Sequence, residues 1–146
     1  MKSLVENKNA GRFYDIKDTY EGGLLLTGSE VKSLRAGHGT LEGSHIHISK
    51  QGEVWLAESF IPPYQPNNKA SKHQPYRKRK VLLQAKEIER LTIERKSGSL
   101  TLVPLMVYLN RNRMRLSIGL GKKKKLFDKR QTLKKKVDRR SMKDIL

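Results

Sequence analysis

Apolar and polar residues alternate through much of this chain, and the period of the alternation changes along it. From Leu41 to Ser49, Ser44, Ile46 and Ile48 share one face while His45, His47 and Ser49 share the other, the period of two expected of a half-buried strand. Lys50-Gln51-Gly52-Glu53 links it as a hairpin to a second strand, Val54 to Phe60, whose Trp55 reads as barrel core. Upstream, after a polar start over residues 1–11 that reads as flexible, Phe13, Tyr14, Ile16, Tyr20 and Leu24 to Leu26 read as extended, with a bend or bulge at Gly22-Gly23. Leu100 to Leu109 and Met114 to Leu120 read as two more strands joined through Asn110 to Arg113, and Pro104 puts the first at an edge or a bulge.

The period becomes helical in two places. Thr27-Gly28-Ser29-Glu30 has the form of a capping box, Val31 and Leu34 follow at i, i+3, and Gly37 supplies a stop. The resulting helix of about two turns shows Lys32 and Arg35 on its polar face and needs packing to persist. Val81, Leu82, Ala85, Ile88 and Leu91 predict a second helix within Tyr76 to Leu91. Arg77 to Lys80 would crowd its first turn, against the helix dipole, so a phosphate is expected to compensate them. Between the elements, Tyr64 to Pro75 reads as a long surface loop. Short strands outnumber helices, which predicts a mainly β fold: an oligonucleotide-binding-like antiparallel barrel with peripheral α-helices and a basic C-terminal tail.

Charge supplies that tail. The formal net charge is +18, and residues 121–146 carry twelve Lys/Arg and three Asp/Glu, so half the excess lies there. We expect an RNA-binding barrel domain over 1–120 and a tail over 121–146 that is disordered in the free protein. Leu126, Leu133 and Val137 would line one face if the tail became helical on a partner. Both parts are expected to meet a polyanion, with nucleic acid ahead of an anionic membrane. The absence of cysteine excludes disulfides and thiolate zinc sites. The apolar run Gly22 to Leu26 is too short for a membrane span or a signal h-region, so an intracellular, cytoplasmic protein is expected.

Three function classes follow. An RNA-binding adaptor and a ribosome-bound structural barrel both suit the charge. A metal hydrolase is the alternative from another class, since His45 and His47 share a strand face and Glu53 could approach across the hairpin. The chain carries no Gly-rich phosphate loop ending in Lys-Ser/Thr and no nucleophile elbow. The expectation is therefore no enzyme, no cofactor and no metal.

Tyr20-Glu21-Gly22-Gly23, Gly28 to Gly37, Arg79-Lys80-Val81-Leu82-Leu83, Leu102-Val103-Pro104-Leu105 with Tyr108, Ile118-Gly119-Leu120 and Asp128-Lys129-Arg130 stand in one order along the chain. Together they resemble the small protein B family, the bacterial partners of transfer-messenger RNA in ribosome rescue. The resemblance runs from about Asn7 to Arg130. It implies an oligonucleotide-binding-like barrel that binds the tRNA-like domain of transfer-messenger RNA and delivers it to stalled ribosomes, with the tail in the vacant mRNA channel near the small-subunit decoding region. Elongation factor Tu is implied as a partner through the charged RNA, no membrane is implied, and a monomer is expected. The family's RNA-contacting positions fall on Asn7, Glu21 and Leu82, with basic support from Lys32, Arg35, Arg79, Lys80, Lys122 and Lys124. Lys125, Phe127, Asp128, Lys129 and Arg130 are implied as the ribosome-contacting part of the tail. Departures from the family pattern are Arg12-Phe13 for His and an acidic residue, Gln74 for Asp, Lys123 for Gly, and Phe127 for Tyr or His. Phe127 can stack on a base but has no hydrogen-bonding tip.

Overall fold

The structure is a computed structural model that describes residues 2–64, 74–96 and 100–124. Its elements are β1 (Lys2–Glu6), α1 (Ala10–Phe13), β2 (Tyr14–Leu24), α2 (Gly28–Arg35), β3 (His45–Ile48), β4 (Val54–Ala57), β5 (Arg79–Leu82), α3 (Ala85–Lys96), β6 (Thr101–Asn110) and β7 (Arg113–Lys123). Among the described residues the seven strands form one antiparallel sheet in the order β1-β6-β7-β2-β5-β4-β3. The sheet curls until β3 comes close to β6 without pairing to it, which makes the expected barrel an open one. No described helix is long and apolar enough to cross a membrane.

The inner face is filled by alternate residues of each strand: Val5, Tyr20, Leu24, Ile46, Val54, Leu56, Val81, Val107, Leu116 and Ile118 are all buried. Each large aliphatic side chain removed from water in this way contributes about 1.5–3 kcal/mol. Leu34 of α2 and Leu91 of α3 join the same cluster, which holds these short helices in place. The capping box on α2 is complete: the Thr27 hydroxyl accepts from the Glu30 amide at 3.2 Å, and the Glu30 carboxylate accepts from the Thr27 amide at 2.9 Å. Gly37, at φ 88°, ends the helix with backbone geometry that favours glycine. Pro104 sits beside a register shift between β6 and β7, the bulged alternative of the two the sequence left open.

Several sequence expectations are corrected. The start is not loose, because Lys2–Glu6 pairs with the outer edge of β6 and buries Val5, and Ala10–Phe13 forms a helical turn. The strand expected over Val54 to Phe60 stops at Ala57, where Glu58 takes φ 60°; Phe60 instead bridges to Thr40. The helix expected within Tyr76 to Leu91 divides into a strand and a helix. Arg79 to Leu82 alternates inward and outward between β2 and β4, and α3 starts only at Ala85. The last strand continues past residue 120 to Lys123, since β2 offers pairing partners as far as Tyr14. Trp55 is half-buried on the outer face, paired with His47 and Lys80, because its neighbours Val54 and Leu56 take the inward positions.

Gly22-Gly23 pairs in regular register with Leu116 and Arg115, and the bulge of β2 lies instead between Ile16 and Asp18. Gly22 answers to a close approach. A Cβ there would lie 2.8 Å from Val81 Cγ1, 2.9 Å from Leu83 Cδ2 and 3.1 Å from the Leu82 carbonyl oxygen. Gly22→Ala is expected to lower the unfolding free energy by about 1–3 kcal/mol, as overpacking does, read from the urea midpoint. An unchanged midpoint would mean that β5 gives way at no cost.

Candidate nucleic-acid interface

The site depends on a buried ion cluster behind it. Arg79, the inward residue that opens β5, has no exposure, and Glu30 of α2 has 1%. Arg79 Nε donates to Glu30 Oε2 at 2.6 Å, Nη1 to the Ser59 carbonyl and hydroxyl at 2.8 and 2.9 Å, and Nη2 to the Pro75 carbonyl at 3.0 Å. Arg77 Nη2 donates to Glu30 Oε1 at 2.5 Å. A planar guanidinium with several fixed donors suits this mixture of carboxylate and carbonyl partners. Burial by itself raises the Glu30 pKa. The hydrogen bonds from Arg77, the Thr27 amide and Arg79 outweigh it and hold the carboxyl below its ordinary range.

Strand alternation does the rest. With Arg79 and Val81 inward, Lys80 and Leu82 point outward, and Leu82 is 50% exposed. The sheet register then brings distant residues into one row. Ser3, Tyr108, Arg115, Gly23 and Leu82 are successive cross-strand neighbours on β1, β6, β7, β2 and β5. Glu21 lies two residues from Gly23 on the same face of β2 and pairs with Ser117 of β7. Its carboxylate accepts from the Tyr108 hydroxyl through Oε2 and from the Ser117 hydroxyl at 3.2 Å through Oε1, while Arg115 Nη2 donates to the Glu21 carbonyl at 3.3 Å. Lys80 lies beside Trp55 and is 3.7 Å from Glu53.

Asn7, Lys122 and Lys124 form a second group around α1. Asn7 Nδ2 donates to the Pro104 carbonyl at 2.8 Å, and its Oδ1 accepts from the Asn9 amide at 3.3 Å, so the side chain anchors the turn between β1 and α1. It lines a cavity of about 340 Å³ with Phe13, Tyr14 and His45. Lys124 Nζ donates to the Gly11 carbonyl at 3.1 Å, and Lys122 pairs in register with Asp15. The Asp15 carboxyl is lowered first by its hydrogen bond and charge attraction to Lys17, then by Lys124 and Lys122.

Glu21, Leu82 and Lys80 thus share one face. Lys32 and Arg35 lie apart from it, exposed on α2, where Lys32 Nζ sits 6.0 Å above the Tyr64 ring. Arg79 is corrected outright: a side chain enclosed by Glu30, Ser59 and Pro75 has nothing to offer a phosphate. The expected opposition of Arg79 and Lys80 to a helix dipole goes with it, since both are in a strand. Lys125, Phe127, Asp128, Lys129 and Arg130, and the expected disorder of the tail, lie outside the described residues. His45 and His47 face outward on β3, and no cluster of three metal-binding side chains occurs among the described residues. Ser117 and Arg115 went unnamed in the sequence reading. Their only signal was the period of two along β7, which shows a shared face but not the Glu21 across from it.

The described residues form an open antiparallel barrel of the oligonucleotide-binding type that presents a carboxylate, a cation and an exposed leucine on one sheet face. The model of the SmpB protein family matches residues 4–146. An SsrA-binding protein of Thermosynechococcus vestitus is 45% identical over 142 residues, covering 97% of this chain and 93% of that one. One of Nostoc sp. is 43% identical over 141 residues, covering 97% and 90%. A solved structure described as "tmRNA-SmpB: a journey to the center of the bacterial ribosome" is similar with a TM-score of 0.68 and 41% identity, over 83% of this chain and 84% of that one. The chain belongs to the SmpB family.

Stability is expected to carry the mark of Glu30. Its pKa is depressed in the folded state, so its contribution is complete above the unfolded carboxyl's 4.5 and is lost as pH falls through the lower folded value. The gap in urea midpoint between the wild type and Glu30→Gln should be widest near neutral pH and narrow as pH falls below 4.5 through the lower folded value. A gap independent of pH would contradict this.

Proposed function

We propose that this protein is an RNA-binding adaptor for ribosome rescue: its barrel takes the tRNA-like domain of transfer-messenger RNA and brings it to stalled ribosomes for trans-translation. The observation that carries the proposal is that the register places Glu21 and Leu82, 61 positions apart in sequence, on one exposed face with Lys80 and Arg115 beside them. Carboxylate, apolar surface and cation are the groups that read unpaired bases and phosphates in folded RNA. Membership of the SmpB family over residues 4–146, relatives described as SsrA-binding proteins, and a similar structure described as tmRNA-SmpB in the bacterial ribosome support the same reading.

On this reading the protein acts without catalysis and works in the cytoplasm, where elongation factor Tu joins through the charged RNA. Asn7, Lys122 and Lys124 form a second basic contact, and Lys32 and Arg35 a third. Residues 125–146 order in the empty mRNA channel, with Phe127 stacking and Asp128, Lys129 and Arg130 contacting the ribosome.

The test is gel-shift competition at fixed salt between the tRNA-like domain and an unrelated RNA duplex. Marked preference for the former is expected, and equal affinity for both would refute the adaptor reading in favour of a general ribosomal-RNA barrel. Lys80→Ala should lower the slope of log affinity against log salt by about one. A chain ending after Lys124 should still bind the RNA but fail to support tagging on stalled ribosomes. Loss of RNA binding together with tagging would remove the division of labour.

A further inference from the structure

A cleft between the turn that follows β3 and the C-terminal half of α3 has no part in the sites described above. It has a volume of about 490 Å³ and is lined by Ile48, Ser49, Lys50, Thr92, Arg95 and Lys96. Among the described residues its walls carry three cations, two hydroxyls and no carboxylate. It is separate from the face that holds Glu21. In the sheet β3 is parted from β2 by β4 and β5, and neither α3 nor the turn after β3 belongs to the cross-strand row that runs from Ser3 to Leu82.

Fold stability accounts for two of the three cations. Arg95 and Lys96 are in the last turn of α3, where the free carbonyls and the negative end of the helix dipole favour positive charge. Lys50 belongs to another element and has no such reason. Its turn is firmly built: the Ser49 amide donates to the Glu53 carbonyl at 2.8 Å, the Gly52 amide to the Ser49 carbonyl at 3.0 Å, and the Glu53 amide to the Ser49 hydroxyl at 3.0 Å. This turn sets a third positive charge across the cleft from the other two. The neighbouring carboxylates do not answer it. Glu53 is 3.7 Å from Lys80, Glu94 acts on Tyr20 of β2, and the exposed Glu89 is not among the lining residues. None of the ion pairs among the described residues includes Lys50, Arg95 or Lys96. Three like charges around one hollow repel one another, and an anion between them removes that cost.

The donors select the anion. They reach the cleft from two walls, and the oxygens of a phosphate, pointing in several directions, can meet both at once. The Ser49 hydroxyl accepts from the Glu53 amide and so keeps its own proton to give, whereas the Thr92 proton already goes to the Ile88 carbonyl at 2.7 Å. The volume lies in the range of small-ligand sites, which leaves room for the sugars on either side of a phosphate. Resting on the RNA-binding reading above, we propose that this cleft binds a backbone phosphate of an RNA strand, held by Lys50, Arg95 and Lys96 with the Ser49 hydroxyl donating to it. That reading offers two RNAs with the same phosphate chemistry, the tRNA-like domain and ribosomal RNA.

Such a contact is read from the slope of log affinity against log salt. Full-length wild type is compared with Lys50→Gln/Arg95→Gln/Lys96→Gln and with a control, Lys2→Gln/Arg111→Gln/Arg113→Gln, which removes as many exposed charges around the turn between β6 and β7. Each protein is titrated with the isolated tRNA-like domain and with purified ribosomes. The cleft variant should lower the slope for one of the two by about two to three, and the control by less than about one. A lower slope for the tRNA-like domain assigns the phosphate to it, and a lower slope for ribosomes alone assigns it to ribosomal RNA. Lys50→Gln by itself should lower the same slope by about one. In the free protein at low salt it should leave the urea midpoint unchanged or slightly raised, since it relieves repulsion. A lowered midpoint would assign Lys50 to the fold and overturn the proposal, as would slopes that fall no further in the cleft variant than in the control for both RNAs. If the tRNA-like domain and an unrelated duplex bind equally while the cleft variant still lowers the slope, the adaptor reading falls and the cleft remains an RNA site.

Discussion

A guanidinium buried against a carboxylate sets the geometry on which the rest of this protein depends. Arg79 and Glu30 are both removed from water, a costly arrangement unless nearly every polar atom finds a partner, and here the guanidinium meets Glu30, Ser59 and Pro75 together. The cluster ties α2, the segment after β4, the end of the long loop and β5 to one point. It also fixes which way β5 faces. A slip of one residue would bring Lys80 and Leu82 inside and turn Arg79 and Val81 to solvent. The outward face that suits RNA is therefore a consequence of the inward face that holds an ion pair.

The same logic extends across the sheet. Gly22 lets β5 lie close against β2, and that closeness places Leu82 beside Gly23. The long pairing of β2 with β7 brings Ser117 and Arg115 to Glu21, and the pairing of β6 with β7 adds Tyr108. None of these side chains is near Glu21 in sequence except through the ladder. What the site recognises is thus set by the hydrogen-bond register of the backbone, and local loops contribute little to it.

Features with local causes were legible in the sequence. The capping box at Thr27 and the His45 to Ile48 alternation with its hairpin each depend on a few neighbouring residues, and each is present; at Pro104 the sequence left an edge or a bulge open, and the bulge is what occurs. Features caused by distant partners were not. Lys2–Glu6 is polar enough to read as loose, and only the open edge of β6 makes it a strand. Arg77 to Lys80 reads as a solvated charge run, because nothing local shows that Glu30, 49 residues before Arg79, waits in the core. Its basic residues sit before an apolar stretch that fits a helix, and the competing strand period is only four residues long. Glu21 and Leu82 emerged as site residues through family resemblance, whereas Tyr108 and Ser117 required the register.

The claim that a buried pair orients the binding face is tested most directly by comparing two neighbours on one strand. Arg79→Ala removes the inward charge and leaves Glu30 buried with less compensation, so the unfolding free energy should fall by about 3–5 kcal/mol, or the protein should fail to fold. Lys80→Ala, one residue further along and outward, should change it by less than about 0.5 kcal/mol. Urea unfolding of both variants at neutral pH gives the answer. Similar small losses from the two would mean that Arg79 is no more anchored than Lys80, and would contradict the account.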